Sequence, residues 1–127
     1  NLLCGLQESD PLIAASAPNI VIDCSAAHTF VINVAEDMTI TLDTAGLTPG
    51  SDQQMSFDIY LVHDNTSNPY VVTWDASISW ARGTTLQVPA TPDAYTLAML
   101  DYVGSNAFYG GNRTWIGIEC FTQYGVL

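Results

Sequence analysis

The chain has 127 residues and a formal net charge of -11, from 13 Asp plus Glu against 2 Lys plus Arg. That length fits one domain with a sizeable core, and 48% hydrophobic against 12% charged residues is the opposite of a disordered composition. Arg82 and Arg113 are the only basic residues apart from two histidines, which rules against recognition of nucleic acid or an anionic membrane through a Lys/Arg cluster.

Residues 1–17 show no alternation; they mix Leu2, Leu3, Leu6, Leu12 and Ile13 with Glu8 and Asp10. They are expected to form an N-terminal arm that contacts a neighbouring subunit or a shell, with a short helical turn over the alanine-rich stretch Leu12 to Ala17, between Pro11 and Pro18. Residues 18–127 are expected to form a single β-domain.

Period two dominates from there on. Candidate strands are Ile20 to Cys24, Thr29 to Val34, Met38 to Asp43, Met55 to Val62, Tyr70 to Trp74, Thr84 to Val88, Ala94 to Leu100 and Thr114 to Phe121. Met55, Phe57, Ile59 and Leu61 form one apolar face, and Tyr95, Leu97 and Met99 another. By the same parity Tyr70, Trp74 and Tyr95 are expected to pack with the core. Strict alternation places one face on a core and one on water, as antiparallel sheets require. Turn formers separate the strands, as at Pro49-Gly50-Ser51-Asp52 and Gly110-Gly111-Asn112. The expected fold is therefore all-β, an antiparallel, jelly-roll-like β-sandwich of about eight to ten short strands. No repeat with a period of 20 to 50 residues is evident.

Chemistry-bearing motifs are scarce. Cys4, Cys24 and Cys120 form no C-x-x-C pair, and Cys24 and Cys120 read as buried thiols. His28 and His63 make no H-x-H or H-E-x-x-H motif, and His63 reads as a strand-end histidine bonded to Asp64. Glu36-Asp37 reads as a polar turn, and Asp64-Asn65-Thr66-Ser67-Asn68 as a solvated loop without EF-hand spacing. No G-x-S-x-G elbow is present. The expectation is a protein without enzymatic activity, metal or cofactor.

One stretch carries a resemblance. Val71-Val72-Thr73-Trp74 ends a strand in Trp; a short spacer leads to Trp80, and Gly83 follows closely. A Thr/Pro-rich loop runs from Leu86 to Pro92, Asp93 opens Ala94 to Leu100, and Phe108-Tyr109-Gly110 closes the pattern. Over residues 38 to 110 this resembles a small β-domain of tailed-bacteriophage virion proteins, found in capsid-associated proteins, head fibres and tail fibres. The strands Met38 to Leu42 and Met55 to Val62 fit that family's earlier hairpin. Residues 113 to 127 and the arm depart from it.

The resemblance implies a folding signature at Trp74, Trp80, Gly83 and Asp93. It also implies a structural role on the particle surface after synthesis in the host cytoplasm. The leading expectation is an outer capsid decoration or cement protein, a homotrimer that binds the major capsid protein or another virion protein and braces the shell. Leu2, Leu3, Leu6, Leu12 and Ile13 are the expected contact residues, with Arg82 and Arg113 as cationic anchors. The alternatives are a head- or tail-fibre module for host attachment and a carbohydrate-binding β-sandwich that takes a host-surface glycan.

Overall fold

The computed structural model describes residues 11–47, 55–80, 87–102 and 115–123. Among them are nine strands: β1 (Leu12–Ala14), β2 (Asn19–Asp23), β3 (Thr29–Val34), β4 (Met38–Asp43), β5 (Met55–His63), β6 (Val72–Trp74), β7 (Ile78–Trp80), β8 (Tyr95–Tyr102) and β9 (Trp115–Gln123). They form two sheets, one of six strands in the order β1-β3-β5-β8-β9-β7 and one of three in the order β2-β4-β6.

The path is a coil. From β1 to β7 successive strands alternate between the two sheets, and each return to a sheet runs parallel to the previous pass. Within the larger sheet β1 pairs with β3 and β3 with β5 in parallel; in the smaller one β2 pairs with β4 and β4 with β6 in parallel. Only β8 runs the other way. It pairs antiparallel with β5 and β9, and β9 then carries β7 in parallel.

Five of the seven pairings are thus parallel, which corrects the expectation of an antiparallel sandwich. Alternation reports that one face of a strand is buried; it does not report which way the neighbour runs. The expected hairpin of residues 38 to 62 is not formed either, because β4 and β5 lie in different sheets.

The inward rows explain the stacking. Ile32 of β3, Ile40 of β4, and Ile59 and Leu61 of β5 are at most 1% exposed. They join Ile20 and Ile22 of β2 and Val72 and Trp74 of β6 in one hydrophobic cluster. Burying each such side chain contributes roughly 1.5–3 kcal/mol. Trp74 meets Trp80 edge-to-face across the two sheets, with ring centroids 5.3 Å apart and planes at 69°. Such a pair adds roughly 0.5–1.5 kcal/mol beyond its buried area.

Three further expectations need correction. Leu12 to Ala14 is a strand and not a helical turn. Three residues cannot repay helix nucleation, whereas β1 gains backbone pairing to Phe30, Val31 and Ile32. Residues 12–14 are therefore built into the sheet, although they fall within the expected arm.

The phase of β8 is also reversed. Thr96, Ala98 and Leu100 are the side chains at 0–1% exposure, while Tyr95 and Met99 lie on the opposite face with Leu97. Leu97 is buried as well, so apolar residues on both faces of this central strand hide its parity. Finally, Gln87 and Val88 are not in a strand; the rest of the expected strand from Thr84 lies outside the described residues.

Gly117 lies opposite Trp80 in the β7–β9 register. A Cβ there would come within 2.7 Å of the Trp80 ring and 2.8 Å of Ile78. Gly117→Ala should therefore destabilise the fold by about 1–3 kcal/mol through overpacking. Chemical denaturation measures this; an unchanged midpoint would contradict the contact.

Candidate functional site

The strand ends share a local device. Asp23, Asp43, Asp64 and Asp75 each follow or end a strand, and Oδ1 of each accepts the backbone N–H two residues on, from Ser25, Ala45, Thr66 and Ser77, at 3.0–3.1 Å. These are Asx turns, which let a strand leave its sheet with its first amide satisfied. Ser25, Thr66 and Ser77 add hydroxyl donors to the same oxygens at 2.6–2.8 Å. The Thr66 and Ser25 hydroxyls are the main cause holding Asp64 and Asp23 below the usual carboxylate range.

Asp75 does more. β6 ends where Trp74 faces Ile40, and the Asp75 Oδ2 then accepts the Leu42 N–H at 3.0 Å. A side chain so continues the ladder that the backbone has left. Burial pushes the Asp75 carboxyl up, but the bonds from Leu42 and Ser77 outweigh it and hold it below the ordinary value.

Asp23, Asp43 and Asp75 lie around Cys24, which is 3% exposed. Burial first, then the charges of Asp23, Asp43 and Asp75, push its thiol up to about 12. Such a thiol is a small packing residue and not a nucleophile. Beside it lies a hollow of about 220 Å³, lined by Cys24 to His28, Gly46, Leu47 and Met55. That is below the roughly 300–1,000 Å³ of ordinary small-molecule sites.

The surface that stands out is the open end of the coil. β1 and β2 are the terminal strands of their sheets at the same end of the stack. The β2–β4 register, with Thr39 N–H bonding Pro18 O and Cys24 N–H bonding Asp43 O, turns alternate backbone groups of β2 towards β4. Those of Asn19 and Val21 therefore face away, where no described strand pairs with them. The side chains there are apolar: Ile13 is 73% exposed, Val21 66% and Leu12 45%. Ile13 is in register with Val31, and Val31 with Tyr60, so an apolar band reaches the edge across the larger sheet.

The opposite edge of the smaller sheet is treated differently. The Gln87 side-chain amide accepts from Val72 N–H at 3.1 Å and donates to Val72 O at 2.8 Å. One side chain thus imitates a neighbouring strand and closes β6. Edge strands left bare are usual sites of strand addition, so the difference between β2 and β6 singles out the first coil.

Of the expected site residues, Trp74 is buried, Trp80 is half-buried against it, and Leu12 and Ile13 lie at the open edge. Asp93 has φ 59°, a left-handed position just before β8. Its backbone N–H donates to Asp64 O at 2.9 Å. Gly83, Arg82, Arg113, Leu2, Leu3 and Leu6 lie outside the described residues. Glu36 accepts from Ser16 and Asp37 from Val71 N–H, so this pair is a clamp on neighbouring segments. Val21 and Gln87 were not anticipated. Comparison with known proteins finds no matching family model, no matching curated protein and no matching solved structure.

Asp75 carries the clearest pH prediction of the site. Its folded-state pKa is lowered, so its stabilisation is present above the unfolded value of about 3.9 and is lost as pH falls through the folded one. Asp75→Asn keeps one oxygen acceptor and loses the other, which should cost about 1 kcal/mol at pH 7. The gap to the parent should narrow below about pH 4. A urea titration series against pH measures both; a gap that widens in acid would contradict the assignment.

Proposed function

We propose that this chain is a non-enzymatic structural protein of a bacteriophage particle, a capsid decoration or cement protein that attaches through the open end of its coil. The observation that carries the attachment is the pair of edge strands β1 and β2, whose outer sides no described strand pairs, with Leu12, Ile13 and Val21 exposed beside them. The virion assignment rests on the sequence resemblance around Trp74 and Trp80, where the observed contact between the two indoles supports a packing role for the motif. Two sheets that share one core are read as the faces of a sandwich.

Backbone pairing and apolar contact suit this chain. With a net charge of -11, it brings few cations to any ion pair with an acidic partner, and strand addition needs none. A bare edge also fits an oligomer, and the homotrimer remains the proposed state. The acidic exterior would keep neighbouring particles apart.

Ile13→Lys with Val21→Lys tests this reading. Both side chains are exposed, so the unfolding free energy should change by no more than about 0.5 kcal/mol for each substitution. Co-sedimentation with purified particles should fall at least tenfold, and light scattering should show loss of the oligomer. Undiminished binding by a folded double variant would overturn the attachment site; a parent chain that does not sediment with particles would overturn the virion role.

A further inference from the structure

His63 ends β5 and is 1% exposed. Its Nδ1 lies 2.9 Å from the Asp64 carbonyl oxygen and 3.2 Å from Asp64 Oδ1, and its Nε2 lies 2.7 Å from the Asn68 carbonyl oxygen. All three oxygens can only accept. A neutral imidazole has one N–H and one bare lone pair, so it can satisfy one side of this arrangement and must set its lone pair against an oxygen on the other. The imidazolium has two N–H donors and satisfies both.

The surroundings hold the ring in that position. The Tyr70 ring stacks on it at 4.9 Å, and the Tyr70 hydroxyl donates to Asp64 Oδ2 at 2.8 Å. Asp64 Oδ1 accepts from the Thr66 N–H and hydroxyl. The His63 backbone N–H donates to Ala94 O, Asp64 N–H to Val34 O, and Asp93 N–H to Asp64 O, which ties the site to β3 and to the approach to β8. The titratable groups among these are Asp64 and Tyr70 of the loop and Asp93 before β8. Of the acids in the turn after β3, Glu36 accepts from Ser16 and Asp37 from Val71 N–H.

We propose that His63 is a doubly protonated, buried pin that holds the 64–70 loop in its fold, with Asp64 as its counter-charge. The loop is then proton-dependent. Losing one ring proton turns one of two donated bonds into a repulsive contact between a lone pair and a carbonyl oxygen. The loop feeds straight into Val71 and β6, so release on the Asn68 side loosens the entry to the smaller sheet. The stabilisation is present while the ring carries both protons and is lost as rising pH removes one.

The test is nitrogen-15 NMR of the ring nitrogens in the full chain, with exposed His28 as the internal reference. At pH 7, His63 should show two protonated nitrogens. Raising pH until His63 loses a proton should accelerate hydrogen exchange at the amides of Thr66 and Asn68 at least tenfold, beyond the intrinsic base-catalysed increase. The exposed Ser25 amide, in an Asx turn far along the chain, serves as the exchange control. One protonated nitrogen at pH 7 would overturn the proposal. So would a loop whose exchange is unaffected by the loss of the proton. His63→Phe should fold less stably and show the fast loop exchange at every pH; slow, pH-independent exchange in a folded His63→Phe would also overturn it.

Discussion

The inward-facing row of side chains shared by successive passes of the coil is the constraint on which the rest depends. Phe30 of β3 stands opposite Ile59 of β5, Ile32 opposite Leu61, and Ile40 of β4 opposite Trp74 of β6. Because side chains alternate with period two, a slip of one residue would turn every member of a row from core to solvent. Register is therefore fixed by burial, and the turns have to fit it. Asp23 and Asp43 sit opposite one another in the β2–β4 register, and each closes its own Asx turn. Asp75 ends its strand earlier against β4 and makes up the difference with its carboxylate.

Stacking of this kind has a consequence for the ends. An interior pass is paired on both sides, but the first pass has one side that no described strand pairs. The last strand of the smaller sheet is covered by the Gln87 amide, while β2 at the other end has exposed Val21 and outward backbone groups. The hairpin of β8 and β9 interrupts the larger sheet between β5 and β7, and its reversed strand β8 is the one departure from the coil's direction. The proposed attachment site rests on that asymmetry, because an edge that no described strand pairs, flanked by apolar side chains, is open to strand addition.

Much of this was legible in the sequence. Met38 to Asp43 was marked by flawless alternation, Thr29 to Val34 by its β-branched and apolar run, and His63 with Asp64 by its place at the end of an apolar face. Strand direction was not legible, since alternation is the same in both senses. The coil did leave a trace. Ile20-Val21-Ile22-Asp23-Cys24-Ser25, Ile40-Thr41-Leu42-Asp43-Thr44-Ala45 and Val72-Thr73-Trp74-Asp75-Ala76-Ser77 share an apolar-x-apolar-Asp-x-small pattern. The first two copies fall twenty residues apart and stack in register, Asn19 beside Thr39 through Asp23 beside Asp43. The third comes after a longer pass and stacks two residues out of phase, which hides the repeat. Val21 escaped notice because an exposed Val in a strand looks the same whether its edge is paired or bare. Gln87 escaped because a clamp made by one side chain leaves no pattern.

The central proposal is that the first pass, with an outer edge that no described strand pairs, is where the protein attaches to a phage particle. Hydrogen–deuterium exchange of the free chain against the particle-bound chain tests it most directly. The account predicts that the outward-facing amides of Asn19 and Val21 exchange quickly in the free protein and become protected on binding, while the amide of Val72, already held by Gln87, changes little. Protection of other surfaces with Asn19 and Val21 still exchanging freely in the bound state would contradict it.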